Sequence, residues 1–171
     1  MEEIFDIYTR DGKYLGTELK SVCHSSNPGF YHKPVWIWIV NSNGEILVQK
    51  RAFCKKNNPN KWDMPSAGHV LASESSLAGA VRETKEELGI DTTENDYEFI
   101  CEYISDNTFE IGQVYLLKKD LDINDLKLQE NEVAEVKWYS FDEFKKLLYS
   151  DQFVKHDDEY KDIVIKLLEN I

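Results

Sequence analysis

The 171-residue chain predicts an α/β (α+β) fold, a sandwich with helices on both faces of a central mixed β-sheet. Three observations carry this expectation. Val35 to Val40 is an unbroken run of β-branched and aromatic residues, as expected of a strand buried on both faces. Residues 73–89 have the apolar period of an amphipathic helix. Two more helical patterns follow near the C-terminus, separated from the first by strand-like segments.

In chain order, residues 3–9 read as a strand and Asp11-Gly12 as a hairpin turn. Residues 13–23 have no decisive period. A loop with two histidines, His24 and His32, leads into the Val35–Val40 strand. Asn41 to Gly44 turns the chain, and Glu45 to Arg51 returns as a second strand. Residues 52–61 are a polar loop, and Pro65 biases Met64 toward extended backbone. Strands are expected at about 97–105 and 109–118, then an acidic link over 119–134 and a strand at Val136–Tyr139. Ser140 and Glu143 form a capping box for a helix through Leu148. The last helix runs from about 157 to 170, with Tyr160, Ile163, Val164 and Leu167 on one face.

Composition narrows the function. The net charge is −12, so a long basic groove for a nucleic-acid polymer is not expected. The chain has no apolar run of about 18 residues and no N-terminal signal pattern, which points to a cytoplasmic protein without a membrane span. Cys23, Cys54 and Cys101 are odd in number and widely spaced, consistent with free thiols in a reducing compartment. Lys50, Arg51, Lys55, Lys56 and Lys61 gather in an otherwise acidic chain and suit either a solvated loop or a phosphate contact.

The helix over 73–89 has two unlike faces. Ser73 is its expected N-cap, Glu74 lies in the first turn, and Gly89 supplies the left-handed C-terminal cap. Leu77, Val81, Thr84 and Leu88 form the apolar stripe. Glu83, Glu86 and Glu87 lie at i, i+3 and i+4, where like charges repel. Arg82 and Lys85 flank this arc but cannot neutralise it, whereas a hard divalent cation such as Mg²⁺ or Mn²⁺ could. Gly79, one turn earlier, is expected to leave open space beside the carboxylates.

The stretch 68–90 resembles the Nudix box, G-x5-E-x7-R-E-U-x-E-E-x-G-U with U apolar. Gly68, Glu74, Arg82, Glu83, Glu86, Glu87 and Gly89 match every fixed position, Ile90 matches the last apolar one, and Thr84 departs at the other. At roughly 7% usage per residue, a chance match over the chain has a probability of about one in a million. The length fits a single domain over residues 1–171; the resemblance covers roughly 33–150 of it and implies a Nudix domain, with a strand extension over 1–32. It also implies a pyrophosphohydrolase that splits a nucleoside diphosphate, free or linked to another group. By the same resemblance, Glu83, Glu86 and Glu87 ligate Mg²⁺ or Mn²⁺ with a backbone carbonyl near Ala67 or Gly68, and Arg82 orients the carboxylates. Glu74, Gly68 and Gly89 shape the box, and Lys50, Arg51, Lys55 and Lys61 are candidates to meet phosphate. The general base is one of the box glutamates or a glutamate of the acidic link, Glu130 or Glu132. The expected partner is a small-molecule diphosphate, and the expected assembly is a monomer or homodimer.

A narrower resemblance is to the isopentenyl diphosphate isomerase branch of the superfamily, through Gln49-Lys50-Arg51, Lys55-Lys56, Pro59, Trp62 and Gly68-His69. That enzyme needs a cysteine just before Gly-His, where this chain has Ala67. It also needs a glutamate on a later strand, where the alignment offers Gln113, with Glu110 nearby. With neither titratable group in place, proton transfer to an alkene has no obvious agent. The isomerase binds a metal through histidines, and His24, His32 and His69 are similarly placed, although its acidic ligands have no evident counterpart. A non-catalytic binding module is the third possibility, and the retained repulsive glutamate arc argues against it.

Overall fold

A computed structural model describes residues 2–169 and 171. The chain opens with a hairpin of β1 (Ile4–Tyr8) and β2 (Tyr14–Leu19), followed by a single helical turn, α1 (Lys20–Cys23). The ambiguous stretch 13–23 is therefore half strand and half turn. Next come β3 (Tyr31–His32), β4 (Pro34–Val40), β5 (Ile46–Arg51), β6 (Trp62–Asp63) and β7 (Ser66–His69). The long helix α2 (Ser76–Leu88) leads to β8 (Tyr97–Ser105), β9 (Glu110–Lys118) and β10 (Val133–Tyr139), and then to α3 (Phe141–Leu148) and α4 (Asp158–Glu169). The predicted end of the last helix at residue 170 lies outside the described residues.

The strands form one ten-stranded mixed sheet, ordered β10-β5-β4-β9-β3-β1-β2, with β6, β7 and β8 pairing beside β5, β4 and β9. β4 runs parallel to β9 from Val35↔Gln113 to Val40↔Lys118. Every residue of β4 is buried, as its continuous apolar run requires. Val35, Ile37 and Ile39 face Ala80 and Leu88 of α2, and Trp36, Trp38 and Val40 face Phe144, Tyr160 and Val164 of α3 and α4. The tryptophans are thus core residues, and Trp38 Nε1 donates to the Tyr160 hydroxyl at 3.1 Å. Ser140 and Glu143 form the expected capping box.

The β4–β5 hairpin is shorter than the sequence suggests. Its two strands pair only at Val40↔Ile46, because β7 occupies the rest of that β4 edge, from Pro34↔His69 to Ile37↔Ser66. This pairing lays Ala67, Gly68 and His69 along the strand that anchors both cores.

The start of α2 corrects the sequence reading. Ser75, not Ser73, is the N-cap, and its hydroxyl accepts from the Ala78 N–H at 3.1 Å. Ser73 has a left-handed backbone (φ 65°) and belongs to the preceding turn. Glu74 therefore lies just ahead of the helix, where its carboxylate accepts from the Leu71 N–H at 2.9 Å. Gly79 does not open space beside the box carboxylates, since a Cβ there would stand 3.3 Å from Glu74 Oε2 and 3.5 Å from Val70. Gly89 is the left-handed cap (φ 73°), as expected.

The acidic link over 119–134 is packed. Leu121, Ile123, Leu126 and Leu128 lie against the core under α2. The N–H groups of Lys127 and Gln129 donate to the carbonyls of Leu88 and Glu87, satisfying the last turn of the helix. No helix among the described residues is long and apolar enough to cross a membrane.

Gly112 in β9 is forced by packing, because a Cβ there would stand 2.5 Å from the Trp36 indole. Gly112→Ala is predicted to cost about 1–3 kcal/mol through overpacking, measured as a lowered denaturant midpoint with an unchanged slope.

Candidate active site

β7 and α2 meet at their polar edges, and that meeting builds the site. The Ala67 N–H donates to Glu87 Oε2 at 3.1 Å. Gly68 is required by contact, since a Cβ would fall 1.9 Å from Glu83 Cδ. Arg82 is the tie. Its Nε and Nη2 grip both oxygens of Glu74 at 2.9 Å, Nη2 also donates to the His69 carbonyl at 2.8 Å, and Nη1 donates to Glu83 Oε1 at 2.7 Å. Its contact with Glu86 is longer, 3.4 Å. Lys85 turns away and pairs with Asp91.

The three box glutamates differ in surroundings. Glu86 is exposed, Glu83 is half-buried and Glu87 is buried. Burial pushes the Glu87 carboxyl up to about 8, and the neighbouring Glu83 adds to the effect. Burial also raises Glu83, although Arg82 opposes it. For Glu74, the hydrogen bonds from Arg82 and Leu71 outweigh burial and hold the carboxyl below its usual range. Two carboxylates against a backbone edge and a third, exposed one in the same cleft, with one arginine already committed to Glu74, have the oxygen chemistry that a hard divalent cation takes.

These glutamates lie in a cleft of about 950 Å³. Of the four predicted phosphate contacts, Arg51 and Lys55 line it. Lys50 stands over the Trp62 ring instead, 5.6 Å from its centroid, and Lys61 is also outside the cleft lining. Of the two candidate bases on the acidic link, Glu132 lines the cleft and Glu130 is exposed away from it. Lys55 and Glu132 are ion-paired across the opening.

A second cluster sits beside the first. His24, His32, His69 and Glu110 each offer a ligand atom, all within 4.8 Å of one another. His24 Nε2 and His69 Nε2 are 3.0 Å apart, and Glu110 Oε1 lies 3.6 Å from His32 Nε2 and 3.7 Å from His69 Nε2. The fully buried His32 ring has no hydrogen-bond partner at either nitrogen. Burial pushes His32 down to about 3, reinforced by His69, and lowers His24 in the same way. Three imidazoles, one of them with both nitrogens unmatched, and one carboxylate suit a zinc-like ion. The sequence pointed to the histidines and missed Glu110 as the acidic member. Parallel pairing of β3 with β9, which sets His32 beside Glu110, supplies it.

The Nudix domain family profile matches residues 30–159. The chain belongs to the Nudix hydrolase family. It is 33% identical over 169 residues to Nudix hydrolase 3 of Arabidopsis thaliana, a match covering 91% of this chain and 22% of that much longer protein. It is 36% identical over 133 residues to an uncharacterised Nudix hydrolase of Listeria innocua, covering 75% of each. Isopentenyl-diphosphate Delta-isomerase of Streptomyces griseus matches over 87 residues at 31%, covering 51% of this chain. Among solved structures, a Deinococcus radiodurans protein superposes with a TM-score of 0.74 at 18% identity over 98% of each chain. The MutT protein of Methanosarcina mazei gives 0.61 at 26%, covering 82% of this chain and 94% of its own.

Within this Nudix fold, Gln113 is not the residue opposite Ala67. Strand alternation turns Gln113 to the other face of β9, where its amide donates to Glu102 and to the Ile111 carbonyl. Glu110 and Gly112 share the Ala67 face, and the Trp36 indole fills the space beside Gly112.

The buried Glu87 has a consequence for stability. The unfolded chain ionises it near 4.5, whereas the folded chain holds the proton up to about 8. Between those values the folded state binds more protons, so stability falls as pH rises. With divalent metal chelated, the thermal midpoint is predicted to drop by several degrees more between pH 5 and 8 in the wild type than in Glu87→Gln, measured by thermal unfolding.

Proposed function

We propose that this chain is a metal-dependent hydrolase that splits the phosphoanhydride of a small-molecule diphosphate. The observation that carries the reading is the packing of Glu83 and Glu87 against the Ala67–Gly68 edge, in a cleft that Glu86, Arg51 and Lys55 also line. These glutamates would hold Mg²⁺ or Mn²⁺, which when bound screens the phosphates and acidifies water. Arg82 fixes the carboxylate orientation through charge-assisted hydrogen bonds. Arg51 and Lys55 meet the phosphates. Glu132 would take the proton of the attacking water once phosphate draws Lys55 away from it, a role supported by its lining the cleft, which Glu130 does not. The substrate proposed is a diphosphate, and nucleoside diphosphates are among the candidates.

The isomerase reading is not favoured. Ala67 carries no proton to give, and Glu110 is engaged with His32 and His69. Those three, with His24, are proposed as a second site for a zinc-like ion.

Phosphate release from a panel of nucleoside and simple diphosphates is expected to require Mg²⁺ or Mn²⁺. Glu86→Gln and Glu87→Gln should each lower kcat by about a hundredfold or more, the scale of losing an electrostatic group in a reaction centre. Unchanged turnover in both variants would remove these residues from the mechanism. For the histidine site, metal analysis of purified protein should find about one equivalent of transition metal that His69→Ala loses, with α2 intact by circular dichroism.

A further inference from the structure

Arg51 lines the carboxylate cleft, and Asp63 does not. The two side chains nevertheless meet, with Arg51 Nη1 donating to Asp63 Oδ2 at 3.1 Å. We infer that Asp63 is a positioning residue for the diphosphate, one that holds the Arg51 guanidinium ready for phosphate without touching the substrate itself; this rests on the diphosphate reading of the cleft.

Strand pairing brings the two residues together. β6 lies against β5 at Gln49↔Asp63 and Lys50↔Trp62. The Arg51 N–H continues this ladder and donates to the Lys61 carbonyl at 2.9 Å. Arg51 and Asp63 therefore stand together at the two ends of the polar loop. Asp63 is itself held in place. It is 6% exposed, and its Oδ1 accepts from the Met64 N–H at 2.9 Å. His156 Nε2 stands 3.5 Å from the same oxygen, buried and without a hydrogen-bond partner. The segment that carries His156 is fastened to β6 in turn. The Trp62 N–H donates to the Gln152 carbonyl and the Val154 N–H to the Trp62 carbonyl, both at 2.8 Å. A carboxylate with so little freedom is a fixed anchor for a long, flexible side chain.

What Asp63 leaves free decides the role. A guanidinium carries five N–H groups in a rigid fork. Among the described residues, Arg51 commits Nε to the Asn57 carbonyl at 3.3 Å and one Nη1 hydrogen to Asp63. The other Nη1 hydrogen and both on Nη2 remain, so Arg51 can keep Asp63 and take a phosphate at once. Lys55 differs, because its partner Glu132 lines the cleft itself. An arginine ordered in advance spares part of the side-chain entropy that binding otherwise costs. Because Asp63 stays out of the cleft lining, its charge does not confront the phosphates directly. A pair that merely braced the loop would behave differently, since its loss would loosen Lys55 as much as Arg51.

Calorimetric titration with methylene bisphosphonate in Mg²⁺ reads diphosphate affinity without turnover, and phosphate release from the diphosphate panel is followed in parallel. Arg51→Ala and Asp63→Ala should each weaken affinity by about tenfold, the scale of one charge-assisted hydrogen bond. Asp63→Asn keeps an oxygen acceptor and loses the charge, and should weaken it by about threefold. In an Arg51→Ala background neither Asp63 substitution should weaken binding further, whereas in a Lys55→Ala background both should act in full. KM should rise with the bisphosphonate Kd while kcat stays nearly unchanged. Should Asp63→Ala prove unfolded by circular dichroism, Asp63→Asn carries the same cycle. Unaltered affinity in the Asp63 variants, or equal losses with and without Arg51, would overturn the inference. The expected pattern of binding without phosphate release from any diphosphate would sink the hydrolase reading and leave the role of Asp63 standing. Release without the pattern would do the reverse, and a wild type that neither binds nor hydrolyses would end both.

Discussion

The structure depends on crowding several carboxylates against one backbone edge. Glu83 and Glu87 point from α2 into the space beside β7, where Gly68 has no side chain because Glu83 occupies its place. The chain offers a single arginine against them, and Arg82 is shared among Glu74, Glu83, Glu86 and the His69 carbonyl. Burial raises both inner carboxyls, which marks the arrangement as unfavourable in isolation. A divalent cation bound there would remove that penalty, which is the relation between strain and function that the proposed reading requires.

The rest of the fold holds this crowding in place. β4 is buried on both faces and pairs with β7 on one side and β9 on the other. β7 thereby gains a rigid base, and the box backbone cannot retreat from the helix. The acidic link fastens the other end of α2 through the Lys127 and Gln129 N–H groups, and the same segment carries Glu132 into the cleft. Arg82 joins the two polar centres, since the residue whose carbonyl it holds, His69, also gives its ring to the histidine cluster.

Much of this was legible in the sequence, for physical reasons. The box combines charge spacing, caps and glycines that few other structures require, so its residues could be placed before any coordinates. β4 announced itself by lacking polar alternation. What escaped depended on long-range register. Ser73 and Ser75 are equally good caps by chemistry, and only the turn that sets Ser73 at positive φ decides between them. Gln113 and Glu110 differ by an odd number of residues, so a small alignment slip exchanges the faces of β9. The pairing of His32 with Glu110 crosses two strands distant in sequence. Lys50 and Lys61 looked equivalent to Arg51 and Lys55 because a loop's charge pattern does not reveal which side chains turn inward.

If the glutamate arc of α2 is a divalent-cation site distinct from the histidine cluster, crystals soaked in Mn²⁺ will show a strong anomalous peak among the carboxylates of Glu83, Glu86 and Glu87, close to the Ala67–Gly68 backbone. A peak at His24, His32, His69 and Glu110 alone, with none at the glutamates, would contradict it.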